Sequence, residues 1–582
     1  NVNTLQVLGD STIAATTVDG QAGDLNVNAA TAVLLDNGSL SVAATGSGNA
    51  GTVNVTTPFL TLVNQGSITA TTASGGSVGT GNIFLQGLNT LQTNSGTTIS
   101  TSTDSGQAGT VSITANQGSN PLINLNGGTI EAAANQAGGQ AGGVVINAPT
   151  ILATNGATIS ASNISSLIGG DVTLQNVNTL QVLGDSTIAA TTVNGQAGNV
   201  NVTAASVLLD NGNLSVAATG SGNAGTLSVI TPTLTLANGS SISATTQFGG
   251  STDTGNINLL GLNTLQANAS TISASTVTGT AGNIQIGATG TVDLSNNSSL
   301  SVAATGQGGR AGDINLTTRN LQVNQSSITV SSSQGQAGVI DITANRIDLK
   351  GGKLQAQIGA SPAAGSPAGS ITLNVNFRIT LEDESEISTL GTNGANGGNI
   401  SILNARFLLG TRPTGPNGSD IIGRADGGGQ GGRVILDRTI LIQGFRFRRA
   451  TDGNRTNDVD TNGQLDNFST DAGQGIRGLS TPVVVFNDVS QLVTSACEAV
   501  GAKASTSSEL RIAGQGGIAA SPTAPLAAQT STNDWVSLEL NPQVPVGVTF
   551  SDGTTVTMEP GETYEIQASC VNAWKAQQRS AL

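Results

Sequence analysis

Histidine is absent from all 582 residues. That removes the commonest general base and the commonest metal ligand, so catalysis or metal binding would have to rest on carboxylates. Aromatic residues make up 2% of the chain and charged residues 9%, too few for an ordinary aromatic core or a densely charged surface. Lysine and arginine are missing before Arg310. Residues 1–309 hold 11 acidic and no basic residues, a net of −11; the remainder holds 24 acidic and 20 basic residues, a net of −4. Phosphate recognition needs clustered Lys and Arg, so this balance argues against DNA or RNA as a partner. No apolar run approaches the roughly 18 residues of a membrane span, and no signal peptide is visible. The chain opens inside a repeat at Asn1, which reads as a processed or truncated piece of something longer. Only two cysteines occur, Cys497 and Cys570. The pair reads as one disulfide of an exported protein, with two separate free thiols as the alternative.

What the chain does contain is a column of aliphatic residues. Ile13, Leu40, Ile68, Ile99, Ile130, Ile159, Ile188, Leu214, Ile242, Ile272, Leu300, Ile328, Leu354 and Ile387 each sit in one local phrase, as in Ser67-Ile68-Thr69-Ala70 and Ser241-Ile242-Ser243-Ala244. The spacing runs from 26 to 33 residues. A fixed period of this size marks a repeat architecture, in which each unit buries its apolar face only against its neighbours. Residues 1–92 return almost verbatim near 176–266: Asn1 to Ala15 matches Asn176 to Ala190 without a change. Whole units are thus interchangeable.

Each unit reads as three strands. An alternating run such as Thr4-Leu5-Gln6-Val7-Leu8 comes first, the Ile phrase second, and a run after a Gly turn third, as in Gly198-Asn199-Val200-Asn201-Val202. Period-two alternation signals strands with one buried face. The turn Gly, recurring from Gly23 to Gly432, supplies a positive φ or a close backbone approach. No helix pattern follows these glycines, so they do not read as a phosphate loop. The fold class that follows is all-β. It is a parallel β-helix, expected right-handed from general strand chirality, with three strands per coil, about 15 coils and a small C-terminal β extension.

The texture changes after about residue 340, which sets the expected divisions: 1–440 a β-helix rod, 441–512 a C-terminal cap region, 513–531 a Gly/Ala/Pro/Ser linker, and 532–582 a β-hairpin extension. The hairpin is expected at Val546-Gly547-Val548-Thr549-Phe550 and Thr555-Val556-Thr557-Met558, around a turn at 551–554. Phe445-Arg446-Phe447-Arg448-Arg449 reads as a terminal strand with Phe inward and Arg outward, or else as a contact for an anionic polymer or lipid. One metal-type motif stands out. In Asp458-Val459-Asp460-Thr461-Asn462-Gly463-Gln464-Leu465-Asp466, oxygen side chains at Asp458, Asp460, Asn462 and Asp466 match the first nine positions of a calcium loop, with Gly463 at the turn. Ser469 stands where the bidentate Glu would be, and the competing reading is a polar loop. A carboxylate pair for polysaccharide cleavage would have to come from Glu382, Asp383, Glu384 and Glu386; in a strand, 382, 384 and 386 share a face. Ser/Thr ranks of the ice-binding kind would be irregular here, because the Ile phrases vary.

The Gly-Asn-Ile and Ser-Ile-Ser-Ala phrases resemble those of filamentous-haemagglutinin-like exoproteins of two-partner secretion. The likeness is nearest to cyanobacterial members labelled surface-layer or haemagglutination-type proteins. The run Gln491 to Cys497, then Leu510 to Ile518 and Ser521-Pro522, is similar to the Cys-containing C-terminal region of that group. The likeness covers roughly 1–526; the secretion domain is absent and 532–582 match nothing in it. It implies export through an outer-membrane partner and a place outside the cell or on its surface. The expected role is a structural rod, not an enzyme, self-associating end to end with no nucleic-acid partner and no membrane span. Strand edges around Asn1, Val2, Leu5 and Val7 would receive Val548, Phe550, Val556 and Met558 of the next copy's hairpin. The rival expectation is a monomeric adhesin binding a glycan, and a carboxylate-dependent polysaccharide-cleaving enzyme stands behind both.

Overall fold

The computed structural model describes residues 1–461 apart from 75–80, 117, 119–120, 166, 249–254 and 360–367. Beyond these it describes the backbone of the strands Leu465–Ser469, Trp535–Leu538, Val546–Thr549, Thr555–Met558 and Tyr564–Gln567. The linker 513–531 and both cysteines lie outside the described residues. Among the described residues every element is a strand, and no helix is long and apolar enough to cross a membrane. Two compact units emerge: Asn1–Gln474 with Val483–Ser490, and Gly475–Pro482 with Gln491–Leu582.

The first unit is a β-solenoid of about 14 turns. One coil shows how it is built. Thr98–Thr103 carries the Ile phrase, Val111–Ala115 follows the Gly turn, and Leu122–Asn126 closes the circuit. Each strand pairs in parallel with its counterpart one coil away: Ile99 lies opposite Ile68 on one side and Ile130 on the other. Alternating aliphatic residues point inward and mostly small polar ones outward, so most strands of the stack bury one face. From Leu40 onward each member of the aliphatic column is 0–1% exposed. Each such side chain contributes roughly 1.5–3 kcal/mol of burial. At coil spacings of about 4.8 Å, the stack is a rod on the order of 65 Å long.

Two details depart from the three-strand expectation. The post-turn strand and the next alternating strand often run together, as in Val172–Leu183 and Ser370–Glu382, with only a bend between them. In the first of these, Asn176 takes the bend at φ 57°. The column also goes further than its phrase. Ile421 lies opposite Ile387, and Val459 opposite Ile421. Strand pairing likewise continues past residue 440: Leu441–Gln443 pairs with Phe407–Gly410, and Leu465–Ser469 with Val434–Asp437.

Stacking constrains the corners most. At the Gly turn, a Cβ on Gly198 would lie 1.9 Å from the carbonyl oxygen of Gly170, and one on Gly225 would lie 1.9 Å from that of Gly198. The close approach, not a special φ, demands glycine at these two positions. The next residue accepts a hydrogen bond from the following coil: Asn199 N–H donates to Asp171 Oδ1 at 2.6 Å, and Thr226 N–H to Asn199 Oδ1 at 2.8 Å. The corner before the Ile phrase carries a buried serine ladder. Ser270 N–H donates to Ser298 Oγ at 3.2 Å and Ser298 N–H to Ser326 Oγ at 3.1 Å, while Ser298 Oγ–H donates to Ser295 O at 2.7 Å. Buried polar groups are tolerated because coil and neighbour satisfy each other.

In the second unit, Val546–Thr549 and Thr555–Met558 pair antiparallel, with Val548 opposite Val556 and Val546 opposite Met558. This is the hairpin expected from sequence. Trp535–Leu538 pairs antiparallel with Tyr564–Gln567.

Gly198→Ala is expected to destabilise the first unit by about 1–3 kcal/mol, the range for overpacking. Gly118→Ala, where an added Cβ meets nothing within 4 Å, should be near neutral. Urea unfolding followed by far-ultraviolet circular dichroism checks both. Ser298→Ala leaves the Ser270 N–H without its acceptor and should cost on the order of 1–3 kcal/mol in the same assay.

Candidate functional site

The last coils carry the chemistry. The strands Glu386–Ser388, Asp420–Gly423 and Asn457–Thr461 continue the column. Their outward residues no longer follow the Ser/Thr pattern. Glu386 lies opposite Asp420, and Asp458 N–H donates to Asp420 Oδ1 at 2.8 Å. Three carboxylates are therefore stacked on successive coils. Cations stand at both ends of this file: Lys353 opposite Glu386, and Arg446 opposite Asp458.

The segment read from sequence as a calcium loop begins as a strand over Asn457–Thr461, with Val459 turned into the core. Asp458 and Asp460, two residues apart, flank Val459 and are 0% and 4% exposed. Each is engaged by an arginine. Arg448 Nε donates to Asp458 Oδ1 at 2.9 Å, and Asn454 Nδ2 to Asp458 Oδ2 at 2.8 Å. Arg424 Nη1 donates to Asp460 Oδ2 at 3.1 Å, and the Ala450 N–H to the same oxygen at 3.2 Å. The side chains of Asn462 and Asp466 lie outside the described residues. A calcium ion here would have to displace two guanidiniums from buried carboxylates, where an unpaired charge is costly.

The cover over these aspartates is out of chain order. Phe445–Phe447 pairs in parallel with Asn457–Thr461, which in turn pairs with Asp420–Gly423. The later segment is thus inserted beneath the earlier one. Asn457 anchors the insertion: its Nδ2 donates to Thr411 O at 2.8 Å and Gly444 O at 3.0 Å, and its Oδ1 accepts from Ser419 N–H at 2.8 Å. Phe445 packs against the core, as the alternation predicts. Phe447 is 38% exposed instead. It borders a cleft of about 600 Å³ that Arg424, Asp426, Arg448, Arg449 and Asp460 also line. The cleft offers an aromatic edge and both signs of charge, suited to orienting a small polar or anionic group.

Asp420 is the middle acid of the file. Burial, together with the charges of Asp458, Glu386 and Asp460, raises its pKa to about 6, against the lowering effect of the hydrogen bond from the Asp458 amide.

The acidic run behind the polysaccharide-cleaving alternative does not share one face. The preceding strand ends at Glu382, and Asp383 and Glu384 form a corner at φ 51° and 64°. Glu386 opens the next strand. Alternation fails there because the chain turns, and the carboxylates are otherwise employed: Asp383 accepts from Thr414 Oγ1 at 3.2 Å, Glu384 from the Asn417 N–H at 3.4 Å, and Glu386 from Gln355 Nε2 at 3.1 Å. Of the residues expected to self-associate, Val2 is 46% exposed, Leu5 half-buried and Val7 buried. They belong to the strand Val2–Leu8, which pairs with Leu25–Asp36. Asn1 is exposed. Val548, Val556 and Met558 lie in the hairpin strands, while Phe550 is outside the described residues, as are Cys497 and Cys570.

Sequence reasoning missed Arg424 and Arg448 as partners of the aspartates. A signal was present: both lie in the first stretch of the chain where arginines are frequent, and arginine beside buried carboxylates makes the strong hydrogen bonds such groups need.

The raised pKa fixes a sign. The neutral form of Asp420 is favoured in the folded state, so its contribution is fully present below about pH 4 and is lost as pH rises through about 6. Amide exchange in Asp420–Gly423 and Asn457–Thr461 should therefore slow as pH falls from about 7 to about 5, after correction for intrinsic rates. Asp420→Asn keeps the acceptor for the Asp458 amide and should remove that dependence. Arg448→Ala is expected to loosen the same strands by on the order of 3 kcal/mol, because a buried carboxylate loses its cation. With both aspartates engaged by arginines, millimolar calcium should leave the thermal midpoint of the full chain unchanged; a clear rise would support the calcium loop.

No protein-family profile, no curated protein and no solved structure matches this chain.

Proposed function

We propose that this protein is a structural component of the extracellular space or outer cell surface. It would be a β-solenoid rod exported by two-partner secretion in the manner of filamentous-haemagglutinin-like proteins, and it would assemble with further copies of itself. One observation carries the reading: the aliphatic column runs without a break from Ile13 to Val459, and coil after coil devotes its interior to stacking. A chain built this way converts sequence into length. Assembly is end to end, coil edge on coil edge, with the Val546–Met558 hairpin adding a strand to the neighbour. No catalytic step belongs to this role.

The adhesin reading has its own support in the cleft beside Phe447, where an exposed aromatic and Arg449 could hold a glycan. Under that reading the rod is a spacer and the cleft its tip.

Negative-stain images of the purified chain should show filaments, and removal of 532–582 should abolish them. Filaments unchanged by that deletion would sink the strand-addition scheme. A chain lacking 13–187, which joins Thr12 to Ile188 in register, should fold into a rod roughly 29 Å shorter, six coils at about 4.8 Å each. Isolated rods that coat glycan arrays, and lose that binding on Phe447→Ala, would establish the adhesin instead.

A further inference from the structure

The bend joining the post-turn strand to the next alternating strand changes character along the rod. One column of this bend, in register coil by coil, runs Thr150, Thr179, Ser206, Thr233, Thr264, Thr291 and Asn320, all uncharged. It continues as Arg346, Arg378, Phe407 and Leu441. The residues just before them include Arg319, Phe377 and Arg406. Four arginines and two phenylalanines thus cover four successive coils, in a chain whose aromatic content is 2%. Their arrangement is ordered. The Arg346 guanidinium carbon lies 5.0 Å from the Phe377 ring centroid, and Phe377 meets Phe407 edge to face at 5.4 Å. Arg378 Nε is 3.6 Å from Asp348 Oδ1. Arg319 and Arg406 are exposed. Arg346 and Arg378 lie directly opposite each other. Like charges so placed work against the stack, and departures of that kind mark places selected for something other than the fold.

The complementary surface lies elsewhere on the same chain. At the corner before the Ile phrase, Asp185 and Asp210 stand on successive coils. Asp185 Oδ1 accepts from Asn211 Nδ2 at 2.8 Å and Asp210 Oδ1 from Asn238 Nδ2 at 2.7 Å. Asp185 is exposed and Asp210 half-buried. The duplication supplies the same pair again as Asp10 and Asp36, with bonds from Asn37 and Asn64 at 2.7 Å each. Charge divides accordingly. Residues 1–309 carry −11, whereas residues 310–461 carry 15 basic and 13 acidic residues, a net of +2.

We propose that the arginine ridge of one copy docks side by side on the aspartate corner of a second copy. The two surfaces are opposite in charge: Arg319 and Arg406 are exposed three coils apart along the ridge, and the aspartates stand in a stretch with no basic residue. The duplication then provides two equivalent acceptors, roughly 29 Å apart along one rod. This contact rests on the self-assembly reading but is separate from end-to-end growth. It is lateral and electrostatic, whereas strand addition is made of backbone hydrogen bonds.

Sedimentation equilibrium of the full chain tests it. Association at about 20 mM salt should weaken on the order of tenfold or more at about 300 mM, as exposed ion pairs are screened. The variant R319E/R406E changes two exposed side chains and should lose the salt-sensitive part of the association, leaving only end-to-end assembly. The variant D10N/D36N/D185N/D210N keeps residues that tolerate the corner conformation, and should lose the salt-sensitive part too. An equimolar mixture of the two retains one intact ridge facing one intact corner and should recover the salt-sensitive association. A wild-type association unaffected by salt, a ridge variant that keeps the salt dependence, or a mixture that does not regain it would each overturn the proposal. Loss of 532–582 should leave the salt-sensitive association in place, which separates its failure from failure of end-to-end assembly.

Discussion

The first unit depends on one constraint: each coil lies about 4.8 Å from the next, and its strands hydrogen-bond to those of its neighbours. Where side chains point inward, the constraint is met by aliphatic residues in register. Where the chain turns, there is no room for a Cβ, as the carbonyl of Gly170 beneath Gly198 shows. Asn and Asp after the turn, and Ser before the Ile phrase, close the hydrogen bonds that a bend leaves open. The unusual composition follows. A coil needs one or two large aliphatics per strand, small residues at its corners and short polar groups to bridge coils. Aromatics and long charged side chains have no place inside it.

Much of this was legible in the sequence, because a period-two pattern repeated every 26–33 residues admits few folds. The hairpin at Val546–Met558 was equally plain from its turn. What could not be read is instructive. Ile421 and Val459 belong to the column, but their neighbours are Asp420, Asp458 and Asp460, so the phrase that identifies a coil was gone. The oxygen-rich spacing from Asp458 to Asp466 reads as a metal loop, and it gives no sign of the arginines that engage the first two carboxylates in the strand. Arg424 and Arg448 lie 36 and 10 residues away from the aspartates they hold. The Glu382–Glu386 run failed in the opposite sense, since a strand was assumed through what is a corner.

The late coils thus trade a uniform interior for electrostatics. Asp420 is partly buried and sits among like charges, at a cost that its raised pKa records, while Asp458 and Asp460 are secured by guanidiniums. Arginines enter the outer surface over the same stretch. Neither change helps a coil to stack. Both give the last part of the rod a chemical identity that the repetitive part, duplicated almost verbatim, does not have.

The out-of-order strand has a kinetic consequence. Coils up to Glu386–Ser388 can be laid down one upon another as the chain becomes available, each templated by the one before. The end cannot. Phe445–Phe447 must stand aside until Asn457–Thr461 has slipped beneath it, and only then can Arg448 close over Asp458. Growth by simple addition stops there and is replaced by a single concerted latch. That latch can close only when the chain as far as Asn457–Thr461 is available, so these strands close together and not coil by coil.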